Sequence, residues 1–180
     1  MNEIGKILEK NEKFEWDDKP KYSAYITSVL IGVIILAGIG TAAIMFMKLS
    51  LLWFIALAAL CLISLIIGQL NYNVTHYAIT SKRVIIQTGI IGRDFKSIEY
   101  DKIQNASVNV GLLGLIFKVG TIQIFTGEME SYSTGTGQNR TTGMKSKYDT
   151  LKYIPDQYTV LKHLQEHLSE RKENLYAGRT

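Results

Sequence analysis

Two histidines four residues apart spell His163-Leu164-Gln165-Glu166-His167, the H-x-x-E-H spacing of an inverted zinc-peptidase motif. On a helix, positions i and i+4 share a face, so both imidazoles can reach one metal ion. The same helix must also spend Leu161, Leu164 and Leu168, with Val160 beside them, on an apolar stripe. A third ligand would have to come from Glu170 or Glu173 in a short tail, and the chain lacks the deep domain that surrounds such centres. Zinc hydrolysis at His163 and His167 is therefore a remote alternative, and no metal or other cofactor is expected. His76, alone near a strand start, reads as structural.

Other chemistry is equally sparse. Gly38, Gly40 and Ala43 spell G-x-G-x-x-A, a dinucleotide fingerprint that needs a preceding strand and an open phosphate loop. Here it lies inside an uncharged apolar run, where small residues serve helix packing. The single cysteine, Cys61, lies in a second such run, which leaves no disulfide framework and no thiolate metal cluster. There is no nucleophile elbow. The chain reads as a non-enzyme with no identifiable small-molecule substrate.

Binding residues are easier to find. Lys82 and Arg83 in one turn, with Arg93 and Lys96 further on, form a set of cations for an anionic lipid headgroup if they converge on one rim. Ile90 and Ile91 sit between turn glycines, and Leu112, Leu113, Leu115, Ile116 and Phe117 link two strands, where polar residues are usual. Such apolar tips either cap the fold or meet a neighbouring subunit or the membrane. Arg140, Lys145 and Lys147 lie in a Gly/Ser/Thr-rich stretch that reads as flexible linkage in preference to an anion site. The net charge of +4 suits proximity to an anionic leaflet and is too dilute for nucleic acid.

The elements that must carry these residues begin with two uncharged apolar segments, 26–47 and 49–70, joined at Lys48. At about 1.5 Å per residue each helix reaches roughly 33 Å, the thickness of a bilayer's hydrocarbon core. They read as a transmembrane helical hairpin. Small residues four apart, Gly38 with Ala42 and Ser64 with Gly68, are expected to let its helices approach. Lys10, Lys13, Lys19 and Lys21 precede the hairpin, Lys82 and Arg83 follow it, and Lys48 alone lies between, so the positive-inside rule puts both termini in the cytoplasm. Residues 1–25 read as a short amphipathic helix and an extended link, with Trp16, Tyr22, Tyr25, Tyr72 and Tyr77 as headgroup anchors.

Beyond the hairpin the period becomes that of strands. A three-strand meander is expected over 74–80, 83–88 and 93–100, then strands from Gln104 and from Gly120. Residues 127–146 form a mobile loop or a hairpin with a flexible tip, 148–154 a last strand, and Asp156 caps a helix reaching Leu168. The charged tail is 169–180.

The run Tyr77-Ala78-Ile79-Thr80-Ser81-Lys82-Arg83-Val84, then Gly89 to Arg93, Ile98 through Ile103 to Val108, Val119-Gly120-Thr121-Ile122 and Ile154-Pro155-Asp156 resembles the bacterial PH-like (pleckstrin-homology-like) domain family over residues 72–168. The resemblance implies an α+β chain: a membrane hairpin followed by an antiparallel PH-like barrel capped by a C-terminal helix. It names no catalytic residue. It implies a membrane-tethered binding or scaffold module, in a family sometimes linked with envelope stress. The expectation is a multi-pass protein of the cell (inner) membrane with its PH-like domain cytoplasmic. Its partners would be membrane lipids and either copies of itself or a membrane protein. The alternative is an anionic-lipid sensor.

Overall fold

The computed structural model describes residues 3–48, 50–135 and 141–177. A single 3-10 turn, Ile4–Lys6, and a strand β1, Phe14–Asp18, precede two long helices, α1 (Tyr22–Phe46) and α2 (Leu51–Val74). Strands β2 (His76–Thr80), β3 (Arg83–Thr88) and β4 (Asp94–Glu99) follow, then a 3-10 turn Tyr100–Lys102, β5 (Asn105–Asn109) and a short helix α3 (Leu112–Phe117). The chain closes with β6 (Val119–Thr134), β7 (Thr141–Pro155) and helix α4 (Gln157–Ala177). The strands form two antiparallel sheets, ordered β1-β2-β3-β4 and β5-β6-β7, so the expected closed barrel is instead a pair of open sheets.

The two sheets and α4 enclose the main core, built on Tyr77, Ile79, Val84, Ile98, Ile122, Ile124, Leu151 and Leu164. A smaller cluster lies on the other side of the first sheet, where Ile4, Ile7 and Leu8 cover Ala78, Ile85 and Phe95. With both faces covered, β2 is buried at all of its positions, its Tyr77-Ala78-Ile79 centre flanked by the buried polar His76 and Thr80. The N-terminal segment thus carries a single 3-10 turn and a strand in place of the expected amphipathic helix, and only Lys19–Lys21 serve as the link. β1 pairs antiparallel with β2, with a bulge between Phe14 and Trp16, in a register that sets Trp16 opposite Ile79 and Asp18 opposite Tyr77. Trp16 packs on the core and Tyr77 is buried, so neither is the headgroup anchor expected of it.

Helices α1 and α2 pack side by side, with Lys48 between them at φ +50°. α1 begins before its expected span and ends at Phe46, α2 begins at Leu51 and ends after its expected span, and Leu49, where the second was expected to start, lies outside the described residues. Each is long and apolar enough to cross a membrane, and the rest of the chain leaves almost all of both uncovered. A Cβ on Gly40 would lie 2.7 Å from Leu57 and one on Gly68 2.8 Å from Val29, whereas Gly38 faces open space. Gly40, not Gly38, is therefore the contact glycine of α1.

The stretch 127–146 is mostly strand. After an irregularity between Phe125 and Met129, β6 and β7 resume pairing and set Glu130 opposite Lys145. Neither face is buried, so the apolar alternation that marks a half-buried strand is missing, while Thr, Tyr and the cross-strand ion pairs favour the ladder. Residues 136–140, including Arg140, lie outside the described residues. Asp156 opens α4 with φ +49°, and its main-chain carbonyl accepts the amides of Thr159 and Val160.

Candidate functional site

The strand directions give the β domain two distinct ends. β1 runs into α1 through Lys19–Lys21, and α2 runs into β2 through Thr75 alone, so the first sheet continues the helices almost without a joint. His76 pairs with Gln87, which brings the β3–β4 turn to this helical end and sends the Ser81-Lys82 turn to the far end. The second sheet agrees: the Lys21 amide donates to the Tyr153 carbonyl at 2.8 Å, and Lys21 Nζ to the Phe117 carbonyl at 2.9 Å. Gln87 locks the helical end, accepting from the Glu3 amide at 3.0 Å and donating to the Val74 carbonyl at 3.1 Å.

A cleft of about 480 Å³ occupies the far end, lined among others by Glu9, Lys82, Arg83, Tyr100, His167 and Arg171. Arg83 is its hub. Its guanidinium donates Nε and Nη2 to Glu12 at 3.0 and 2.8 Å, Nη2 also to the Ile7 carbonyl at 3.1 Å, and Nη1 to Ser97 Oγ at 3.2 Å. Glu12 is buried and further accepts from Thr80 Oγ1 at 2.6 Å. Burial alone would raise its carboxyl pKa, but the Arg83, Glu9-amide and Thr80 hydrogen bonds outweigh it and hold the group at about 2. Lys82 lies 2.8 Å from Glu9, whose carboxyl is held below its ordinary value by that hydrogen bond.

The four cations expected on one rim are spread along the first sheet. Lys82 and Arg83 lie at the far end and Arg93 at the helical end, while Lys96 lies within β4, opposite Ile86. Arg93 lies 3.2 Å from Glu3, and Lys96 lies 2.7 Å from Asp149. A strand of six residues separates the ends of the set because the chain reverses between them, which spacing in sequence does not reveal.

The H-x-x-E-H histidines are also divided. His167 stacks on Tyr100 at 5.1 Å between ring centroids and bonds Glu15 through Nε2, while His163 is exposed near Glu166 at 3.7 Å. Among the described residues no group of three or more His, Cys, Asp or Glu is arranged to hold a metal ion. His76 is buried, and its Nε2 is the one buried side-chain N or O atom without a hydrogen-bond partner among the described residues. Burial, then the nearby Lys19, lowers its pKa to about 4.

Sequence reasoning missed the acids that complete the far end: Glu9, Glu12 and Glu15. Their one signal was the aromatic pair Phe14 and Trp16 among acids, too short to stand out beside a hydrophobic hairpin and interrupted by a bulge. The apolar tips divide as well. Gly114 packs inward, with Leu113 and Phe117 half-buried, whereas Leu112, Leu115 and Ile116 point outward, as does Ile91.

The profile of the family described as Bacterial PH domain matches residues 22–148. No curated protein matches the chain. Among solved structures, a DUF1696 family protein with a pleckstrin-homology domain from Shewanella loihica PV-4 is similar at 17% identity, covering 52% of this chain and 70% of that one, with a TM-score of 0.34.

Proposed function

The chain belongs to the bacterial PH domain family, and from there we propose that it is a non-catalytic recognition module, held in a membrane by its own helical hairpin and assembling with copies of itself or with a membrane protein. The observation that carries this reading is the join between the two parts. Two uncovered apolar helices enter the first sheet through three residues on one side and one on the other, so the β domain has a fixed face toward the bilayer and a fixed face away from it. The lysines flanking the hairpin, against Lys48 alone in its turn, favour the cytoplasmic side for the domain and both termini.

Assembly has its best support in the β6–β7 arm. β5 pairs with β6 only as far as Asn105 opposite Phe125, so beyond that point both edges of the arm lack a neighbouring strand among the described residues. Met129, Tyr132, Met144 and Tyr148 are exposed along it, and Glu128–Lys147 and Glu130–Lys145 pairs alternate with them. An antiparallel copy of such an arm meets complementary charges and apolar side chains. The headgroup reading has less support, since Lys82, Arg83, Arg93 and Lys96 all have carboxylate partners.

Native mass spectrometry of the full chain, gently extracted from its membranes, tests this reading. The expected spectrum is a defined homo-oligomer or a stoichiometric complex with a second membrane protein. The paired change Met129→Glu with Met144→Glu should dissociate it without unfolding the chain. A monomer that carries only lipid at every concentration would overturn the assembly role.

A further inference from the structure

The helical end carries two apolar features that the core does not use. On one side, helix α3 turns Gly114 inward, where an added Cβ would lie 2.5 Å from the Val119 carbonyl, and this close approach fixes which way the helix faces. Leu112, Leu115 and Ile116, spaced i, i+3 and i+4, consequently form one outward stripe with exposures of 82%, 69% and 71%. On the other side, Gly89 and Gly92, at φ +98° and +144°, shape the β3–β4 turn and present Ile91 fully exposed with Ile90 beside it. Strand register places that turn next to the start of β2, one residue beyond α2. Lys21, at the foot of α1, bonds the last carbonyl of α3.

We infer that α3 and the β3–β4 turn are membrane-contact elements, with Leu112, Leu115 and Ile116 on one side of the hairpin and Ile90 and Ile91 on the other seating in the headgroup–acyl boundary of the leaflet that α1 and α2 enter. This rests on the membrane-held reading above and names a ligand for surfaces that reading leaves open. The occupant is the bilayer because both patches flank the place where the apolar helices leave the domain. A soluble partner covering both would occupy the volume the leaflet fills. The surroundings fit: Tyr22 and Tyr25 pack against Tyr72 with ring centroids 4.9 and 5.5 Å apart, and Lys19, Lys21 and the exposed Lys118 lie at the same level. Aromatic rings and long cationic side chains favour this depth, with their apolar parts inward and their polar tips at the headgroups. A cleft of about 420 Å³ beside α3, lined by Leu112, Leu113, Val119 and Tyr153 and by the polar Asn109, Thr121 and Gln123, opens at the same end and suits the boundary between headgroup and acyl chain. Insertion at two points, one beside α1 and one beside the end of α2, constrains the tilt of the domain as well as its height.

The test uses the full chain, with Cys61→Ser, reconstituted in vesicles of phosphatidylethanolamine and phosphatidylglycerol. A bimane label is placed in turn at Leu115→Cys, Ile91→Cys, Leu62→Cys within α2 and Ser81→Cys at the far end. The Leu115 and Ile91 labels should be blue-shifted and lose fluorescence to lipids brominated high on the acyl chain, unchanged when the protein is diluted in lipid, while the Ser81 label stays water-like. Water-like Leu115 and Ile91 labels beside a lipid-quenched Leu62 label would overturn this inference alone. A blue shift that vanishes on dilution would assign the patches to contact between copies and overturn it too. An unquenched Leu62 label would bring down the membrane anchor, and this inference with it.

Discussion

The Glu12 carboxylate lies in the interior against Arg83, Thr80 and the Glu9 amide, and through them it fastens the N-terminal segment to the β2–β3 turn. Removing the Glu12 charge deprives the half-buried Arg83 of its closest carboxylate and costs about 2 kcal/mol. Glu12→Gln should therefore lower the stability of the detergent-solubilised protein by about that amount at pH 7. The sign with pH follows from the lowered pKa. The stabilisation is complete above the ordinary value of 4.5 and is lost as pH falls from there toward 2. Thermal unfolding of both proteins across that range should show the gap between them closing; a gap independent of pH would mean that Glu12 acts by packing alone.

At the scale of elements, the hairpin should depend on contact glycines at particular positions. Gly40→Ile and Gly68→Ile push a branched side chain into Leu57 or Val29 and should destabilise by about 1–3 kcal/mol, whereas Gly38→Ile, facing open space, should stay within about 0.5 kcal/mol. Unfolding in detergent reads the difference, and equal losses at Gly38 and Gly40 would mean the helices pack otherwise. Both residues belong to the same G-x-G-x-x-A run, and composition alone could not say which one faces α2. That limit recurs across the fold. The hairpin, the meander and the Leu164 stripe of α4 were legible because each helix or strand in them carries its own pattern in consecutive residues. The β1 strand was not, because five acid-rich residues acquire their meaning only from β2, about 60 residues away. The far-end cleft was hidden for the same reason: Lys82 and Arg83 were visible as cations, but their Glu9 and Glu12 partners arrive with β1. The outward side chains of 112–117 were noticeable as apolar residues in a connection, yet only the inward Gly114 shows which of them are left over.

For the whole molecule, the described connections between successive strands from β1 to β6 fall at the helical end or the far end, α4 runs from Gln157 beside Gly120 at the first to His167 at the second, and the proposal takes this axis as the membrane normal. The hairpin would carry Lys48 across the bilayer and return the chain to the side where β1 began. Single cysteines in a Cys61→Ser background, probed with a membrane-impermeant maleimide in intact and in opened cells, test this most directly. Lys48→Cys should label from one side, and Lys13→Cys and Ser169→Cys only from the other. Labelling of all three from the same side, or recovery of the protein in the soluble fraction, would contradict the account.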